Sequence, residues 1–250
     1  MADRQDPRDA VLELLAGHRS IRAFKDAGVP DADVERAVRA AQQAASSSHI
    51  QAYSLLRLRD PGTRERLVEL TGGQPYVAQC GAFFAVLADQ RRHKLLSARH
   101  DAPHADNLET FLLAVVDASL FAQNLVVAFE SMGYGTCYIG GLRNRLPEVV
   151  ELLELPTGAL PLFGLCVGVP DQDPGSKPRL PLEAVLLEER YPGDERVLQV
   201  IDAYDERMAA YYDDRGKPGH NWSGAIWRRY SKPRREHLAE CYRGLGARLD

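Results

Sequence analysis

The alternation of apolar and polar positions divides this chain into helices separated by short strands. Val11, Leu12, Leu14 and Leu15 recur with helical spacing and predict a helix over Pro7–Ala16, capped by Asp6, opened by Pro7 and closed by Gly17. Val34, Val38 and Ala41 predict a second over 31–45, ending in Ser46-Ser47-Ser48, a tract that disfavours helix continuation. The alternation Leu56, Arg57, Leu58, Arg59 predicts a strand over 53–59. Asp60-Pro61 opens a third helix, and Gly72-Gly73 closes it. Residues 81–88 read as a buried strand. Polar 90–106 reads as a helix followed by a loop. From 107 to 132 runs the longest helical pattern, apolar on most sides and closed by Gly133, which places it in the centre of a core. A strand over Gly135–Ile139, a helix over 147–155 and a strand over 160–169 follow. The loop 170–181 is rich in proline and charge. Residues 197–214 and 233–245 read as charged helices joined by 215–230. This tail is too poor in apolar residues to fold alone, and the expectation is that it wraps the core or a partner subunit. Strands separated by helices leave α+β and α/β layer folds both open.

Composition narrows the picture. The 250 residues are 45% hydrophobic and 26% charged, as in a soluble globular protein. A net charge of −4 argues against a nucleic-acid-binding surface. The charged N-terminus does not read as a secretory signal. Apolar runs are broken well short of the ~20 residues of a membrane span. The four cysteines, Cys80, Cys137, Cys166 and Cys241, form no Cys-x-x-Cys pair and read as reduced thiols of a cytoplasmic protein.

Several common machines are missing. Gly133-Tyr134-Gly135 starts like a dinucleotide fingerprint, but it follows a helix and lacks the third glycine. The P-loop and the nucleophile-elbow motifs do not occur. His100 and His104 are four apart, but Pro103 between them spoils a helical metal pair. Four other stretches are polar without structural need. His18-Arg19-Ser20-Ile21-Arg22 suits an anion such as a phosphate. Ser46-Ser47-Ser48 with Gln51 offers hydroxyls and an amide. Thr71-Gly72-Gly73-Gln74 is a glycine turn presenting an amide. Tyr138-Ile139-Gly140-Gly141 lets backbone approach a flat ligand. Lys177-Pro178-Arg179 adds two cations far downstream. Each has a bland alternative as a turn, a helix end or a solvated face; convergence on one ligand would need an anionic end and a heteroaromatic end.

This ordered set resembles the nitroreductase family of FMN-binding flavoproteins, most closely the NADPH-dependent group of major oxygen-insensitive nitroreductases and flavin reductases. Further matches are Val77-Ala78-Gln79, Val116-Asp117, Ala122-Gln123-Asn124, Leu142-Arg143-Asn144, residues 160–166, Leu180-Pro181, Tyr204-Asp205-Glu206 and Tyr211-Tyr212 with Arg215-Gly216. The resemblance implies an α+β nitroreductase-like fold, with a mostly antiparallel mixed sheet flanked by helices. It implies an FMN-binding core over 1–195 and a helical extension over 196–250 that wraps a homodimer and contributes to the nicotinamide pocket. Two FMN sites would lie at the subunit interface. His18, Arg19, Ser20 and Arg22, with Lys177 and Arg179, would contact the phosphate and ribityl chain. Ser46, Ser47, Ser48, Gln51 and Gln74 would line the ribityl and ring edge. Tyr138, Ile139, Gly140 and Gly141 would run along the ring, with the Gly140 amide near the hydride-accepting nitrogen. No catalytic side chain is required, because the cofactor carries the chemistry.

The implied reaction is ping-pong: NADPH, or NADH, reduces the flavin, and nitroaromatics, quinones or free flavins take the electrons. A reductase feeding reduced flavin to a partner and a non-catalytic flavin-binding protein are the alternatives. No nucleic acid, membrane or metal partner is implied. Three positions depart from the pattern. After Arg215-Gly216 the loop is short and lacks a second arginine group, leaving Arg215, with Lys217, for the 2′-phosphate of NADPH. His49 stands where relatives often place an aromatic. Arg234 lies about where they keep a pocket arginine, displaced by one residue.

Overall fold

A computed structural model describes residues 7–250. The Asp6 cap and the N-terminal stretch read against a secretory signal lie outside the described residues. Four strands form one sheet: β1 (Tyr53–Leu58), β2 (Ala82–Asp89), β3 (Gly135–Ile139) and β4 (Ala159–Gly168), in the order β1-β2-β4-β3. All three pairings are antiparallel, with Leu56 opposite Ala85, Phe83 opposite Cys166 and Cys137 opposite Cys166. A parallel bridge from Ser20 to Thr136 adds the N-terminal segment outside β3 and makes the sheet mixed. The central strand β2 is buried at every position, which is why it reads as a continuous apolar run.

Helices cover both faces. The helices α1 (Pro7–Ala16), α2 (Asp31–Ala41), α3 (Pro61–Leu70), α4 (Tyr76–Gln79), α5 (Arg91–Arg99), α6 (Leu108–Ser131) and α7 (Leu146–Leu152) precede β4. The long α6 starts with a reciprocal Asn107–Thr110 capping box. Its Ala118, Phe121, Leu125 and Phe129 pack on Phe84, Val86, Leu162 and Leu165. On the opposite face Leu67, Leu70, Val77 and Leu142 pack on Phe83, Ala85 and Cys166.

The pattern placed α6 at the centre of the core, and here the structure differs. One face is buried on the sheet; Leu108, Leu112, Val116 and Leu120, spaced four apart, are 43–50% exposed. By length and composition alone α6 could cross a membrane, although the sequence runs looked too short and broken for a span.

The chain forms two compact units: one comprises everything described up to Pro174 together with Arg235–Asp250, the other Gly175–Arg234. The second holds a 3-10 turn (Leu182–Ala184), α8 (Asp194–Asp213) and α9 (Trp222–Tyr230). The boundary expected at 195/196 falls inside α8. The sequence read 215–230 as a connection, yet α9 forms there, because Asn221 Oδ1 accepts from the Gly224 amide and Asp205 accepts from the Ser223 amide at 2.8 Å. Trp222 then packs edge-on to Tyr204 at 5.6 Å. The final helix, α10 (Leu238–Gly244), is shorter than read from sequence and belongs to the first unit, where the Tyr242 hydroxyl donates to Pro161 O at 2.8 Å.

Candidate functional site

The N-terminal polar stretch is laid against β3 by its own backbone. Ile21 N donates to Thr136 O at 2.8 Å, and the Ile21 side chain is buried. His18 and Arg22 therefore flank a fixed point. His18 Nδ1 lies 2.8 Å from Glu130 Oε1, which also accepts from Thr136 Oγ1 at 2.8 Å. Arg19 is tied elsewhere, donating to Gly17 O at 2.9 Å and pairing with Asp173 Oδ1 at 2.9 Å. Arg19, Ile21 and Glu130 also line a cleft of about 330 Å³ with Gly133 and Gly135.

From Arg22 a chain of polar contacts crosses to the other stretches. Its guanidinium sits beside the Tyr76 hydroxyl and the Cys137 thiol. Burial pushes both of those groups up from their ordinary pKa values, and the Arg22 charge opposes the shift. Tyr76 OH donates to Gln74 Oε1 at 2.5 Å, and Gln74 Nε2 donates to Thr71 O at 2.7 Å. A carbonyl can only accept, so the Gln74 amide has one orientation. Asn144 Nδ2 donates to the same carbonyl at 3.0 Å, and Arg235 donates to Asn144 Oδ1 through Nε (3.0 Å) and Nη2 (2.8 Å).

The glycine pair closes this network. A Cβ on Gly141 would lie 2.4 Å from both Gln74 Nε2 and Thr71 O, so only glycine lets the two turns meet. At Gly140 the nearest atom to such a Cβ is Arg143 Nη2 at 3.7 Å, which leaves open space beside the backbone. Ile139 is buried behind it. Tyr138 is 36% exposed and stands edge-on to Phe163 at 5.2 Å. Burial, with the Glu130 charge adding, drives the Tyr138 hydroxyl well above its usual pKa, so it stays neutral. Three of the four polar stretches thus converge.

The fourth is elsewhere in the chain. Ser47–His49 is a 3-10 turn, with left-handed backbone at Ser48 (φ 46°), His49 (φ 59°) and Gln51 (φ 50°). Such conformations cost about 1–3 kcal/mol each and persist only when their surroundings enforce them. The enforcing group is Asp117: Oδ1 accepts from the Ser47 amide at 2.9 Å and Oδ2 from the Ala52 amide at 3.1 Å. Asp117 is fully buried. The Val116-Asp117 motif does not by itself assign Asp117 a role; the signal for one is that it is the one charge in α6 between Glu109 and Glu130. Gln51 Nε2 lies 3.2 Å from His49 Nε2. Along α6, Asp117 and Glu130 stand thirteen residues apart, about 20 Å at 1.5 Å per residue. The serine turn and His18 are held at these two stations, and β1 and β3 are the opposite edges of the sheet.

In the second unit, Lys177 Nζ donates to Tyr212 OH at 3.0 Å, and Tyr204 OH donates to Pro178 O at 2.9 Å, which fixes the loop before Arg179. Arg215 lies over the Tyr211 ring at 4.5 Å. Lys217 N donates to Tyr212 O at 2.9 Å as α8 ends. Arg234 is exposed. Among the described residues no group of three or more His, Cys, Asp or Glu could hold a metal ion, and His104 Nδ1 lies 3.1 Å from Asp106 Oδ1.

Comparison with known proteins gives one answer. Residues 15–169 match the model of the Nitroreductase family, and 177–250 match that of its C-terminal domain. The chain is 45% identical over 233 residues to an oxygen-insensitive NADPH nitroreductase of Salmonella typhimurium, covering 92% of this chain and 95% of that one. It is 39% identical over 242 residues to an FMN reductase (NADPH) of Bacillus subtilis, covering 94% and 97%. The solved structure of NfrA1 from B. megaterium superimposes with a TM-score of 0.93 at 41% identity, covering 95% of this chain and 99% of that one. The α+β fold, the ordered motifs and these matches agree: the chain belongs to the nitroreductase family.

Proposed function

We propose that the chain is an NAD(P)H-dependent FMN oxidoreductase that passes electrons to flat small molecules, nitroaromatics and quinones among them, and works as a cytoplasmic homodimer. The observation that carries this reading is the convergence of Arg22, Gln74 and Gly140-Gly141 through Tyr76 and Thr71. FMN is an anionic phosphate joined to a flat heterocycle, and the site fits both ends. Arg22 and Ser20 would donate to the phosphate at one end, with His18 held nearby on Glu130, while Arg19 is turned to Asp173. Open space along the Gly140 backbone, next to the half-exposed Tyr138, suits a ring at the other. The Gln74 amide, fixed at both ends, keeps one further N–H for the ring edge. Lys177 and Arg179 are assigned to the phosphate by the sequence resemblance. Bound there, FMN would supply the redox chemistry, hydride acceptance from a reduced nicotinamide and electron delivery to an acceptor in the same slot.

Each site takes its serine turn, Ser46–Ser48 with His49 and Gln51, from a second copy of the chain. Two features support this. The serine turn and His18 are about 20 Å apart along α6 within one chain. The stripe Leu108, Leu112, Val116 and Leu120 leaves an apolar helix face uncovered, as a twofold interface needs. Leu120→Ala removes about 1.5–3 kcal/mol of apolar burial per protomer. Self-association should weaken at least about tenfold, measured by sedimentation, with FMN lost on dilution.

The test is anaerobic titration. The protein should purify yellow and bleach with NADPH under nitrogen; reoxidation by a nitroaromatic or quinone should be faster than electron transfer to free FMN. A faster transfer to free FMN would make it a flavin reductase, the activity named for the B. subtilis relative. A bound flavin that neither nicotinamide bleaches would leave only a flavin-binding protein. Arg22→Ala deletes a charge-assisted contact worth about 1.5–3 kcal/mol, so FMN should bind about 10- to 100-fold more weakly to a folded protein. Full flavin retention in that variant would remove the phosphate from the N-terminal stretch.

A further inference from the structure

Three of the four cysteines meet in one cluster of the first unit. Cys166 on β4 stands directly opposite Cys137 on β3, and both pack with Phe83 on one face of the sheet. Cys80, just after α4, joins the same cluster, and its sulfur takes a hydrogen bond from the Cys166 thiol. All three are free and buried.

The surroundings of the three sulfurs differ. Arg64 reaches in from α3 and places Nη2 3.2 Å from Cys80 Sγ. Its other contacts are carbonyls: Nε and Nη2 each lie 3.2 Å from Val77 O, and Nη2 also donates to Cys80 O. Among the described residues Arg64 has no carboxylate partner, so the acidic group its charge meets is the Cys80 thiol. The Val167 amide adds a further donor to that sulfur; as a neutral thiol it donates in turn to Ala82 O at 3.1 Å. The Cys166 hydrogen bond and the Arg64 charge hold the Cys80 thiol below its ordinary pKa, against its burial. Burial, with Cys80 adding, pushes the Cys166 thiol well up, and burial pushes Cys137 up as well. One sulfur is set to ionise and the sulfur touching it keeps its proton, which is the division between an attacking and a resolving thiol.

We propose that Cys80 and Cys166 form an oxidation site for hydrogen peroxide, with Cys80 as the attacking sulfur, Arg64 as its positioning cation and Cys166 as the resolving thiol, and that closure of the disulfide loosens the flavin site. The Cys80 thiolate attacks one peroxide oxygen, the O–O bond breaks, and the departing hydroxide takes a proton to leave as water. The Cys166 sulfur then attacks the Cys80 sulfenic acid, the S–O bond breaks, and the second water leaves with the Cys166 proton. Two thiols lose two electrons, and one peroxide becomes two waters. Arg64 is half-buried, so the sulfur lies one side chain below solvent. The effect reaches the site through Tyr76, whose carbonyl accepts from the Cys80 amide at 3.1 Å and from the Cys166 thiol at 3.6 Å. A disulfide removes the second donor and draws the end of α4 toward β4, while Tyr76 holds Gln74 and stands beside Arg22. This last effect rests on the flavin site proposed above; the disulfide does not.

The experiment treats the folded, FMN-loaded full chain with hydrogen peroxide, alkylates the remaining thiols and maps them by mass spectrometry. The wild type should lose the thiols of Cys80 and Cys166 to one disulfide and keep those of Cys137 and Cys241. Cys166→Ala should stop at a Cys80 sulfenic acid trapped by dimedone, and this readout stands in if Cys80→Ser, which should form no disulfide, does not fold. Arg64→Gln should slow the oxidation about tenfold, the effect of one pKa unit on the thiolate fraction, and Arg64→Lys should restore most of the rate. The oxidised wild type should bind FMN about threefold to tenfold more weakly, as for one lost hydrogen bond, and dithiothreitol should reverse this; peroxide-treated Cys166→Ala should keep its flavin. Four intact thiols after treatment, or a Cys137–Cys166 disulfide, would overturn the site. An unchanged rate in Arg64→Gln would overturn the role of Arg64. A Cys80–Cys166 disulfide with undiminished FMN affinity would overturn the coupling and keep the oxidation site.

Discussion

Gly141→Ala yields a folded protein that no longer keeps FMN through a desalting column, read as flavin absorbance per protein. The added methyl group would lie 2.4 Å from Gln74 Nε2 and 2.4 Å from Thr71 O. Gln74 is the flexible partner, but it cannot move without dropping its bonds to Thr71 O and Tyr76 OH. Thr71 O is backbone, and Asn144 grips it from the other side under a two-pronged contact from Arg235. The turn at Thr71–Gln74 must therefore back away from the turn at Gly140–Arg143. Overpacking of this kind costs about 1–3 kcal/mol even where the chain tolerates it. Here the displacement falls on the wall of the proposed ring site, and misplaced polar groups lose their bonds to the ligand outright. FMN affinity should drop by at least about 100-fold, the equivalent of about 2.7 kcal/mol. Gly140→Ala is the control. It meets nothing nearer than 3.7 Å, so its melting temperature should match the wild type, while its methyl group enters the space assigned to the ring. A Gly141→Ala protein with a full flavin complement would show that the ring lies elsewhere.

Much of the framework was legible in the sequence because it follows local rules. The apolar run at 82–89 and the capped pattern from Asn107 each encode an element without help from the rest of the chain. What escaped depends on partners distant in sequence. Helix α9 starts where Asp205 captures the Ser223 amide eighteen residues away, and no local pattern announces that. The outward face of α6 looks like core because composition cannot distinguish a face covered by this chain from one left to another copy. In the site, residue types were readable and their couplings were not. Gln74 and Gly141 are both visible as turn residues, but their contact exists only because β3 ends beside the α3–α4 turn. Arg19 and Arg22 look alike in sequence. The fold turns Arg19 to Asp173 and Arg22 to Tyr76. The return of the chain to the first unit at Arg235 likewise depends on a distant partner, the Tyr242 hydroxyl donating to Pro161 O.

Asp117 carries the largest expected loss of stability, and the effect should reach the site. Its two oxygens satisfy the amides of Ser47 and Ala52, and it does so from a fully buried position in the middle of an apolar helix. A buried carboxylate is tolerated there because both oxygens are in use; its return is a turn with three left-handed residues between the two captured amides. Asp117→Ala leaves those amides without their acceptor, at about 1–3 kcal/mol each, so the variant should lose about 2–6 kcal/mol. For a chain of this size that corresponds to a fall in melting temperature of roughly 10 °C. Asp117→Asn is the sharper probe. It is isosteric and keeps one acceptor, but it turns an NH2 group toward an amide that also donates, so it should lose part of the stability and still fold. In both variants Ser48, His49 and Gln51 are released from strained conformations and relax away from the geometry that a second copy would use. Each should therefore weaken FMN binding although Asp117 itself is buried beneath the turn. Adding FMN should raise the melting temperature of the wild type by more than that of Asp117→Asn, because ligand binding stabilises only in proportion to its occupancy of the folded state. An Asp117→Asn protein with wild-type flavin affinity would separate the serine turn from the flavin site and leave Asp117 a purely structural group.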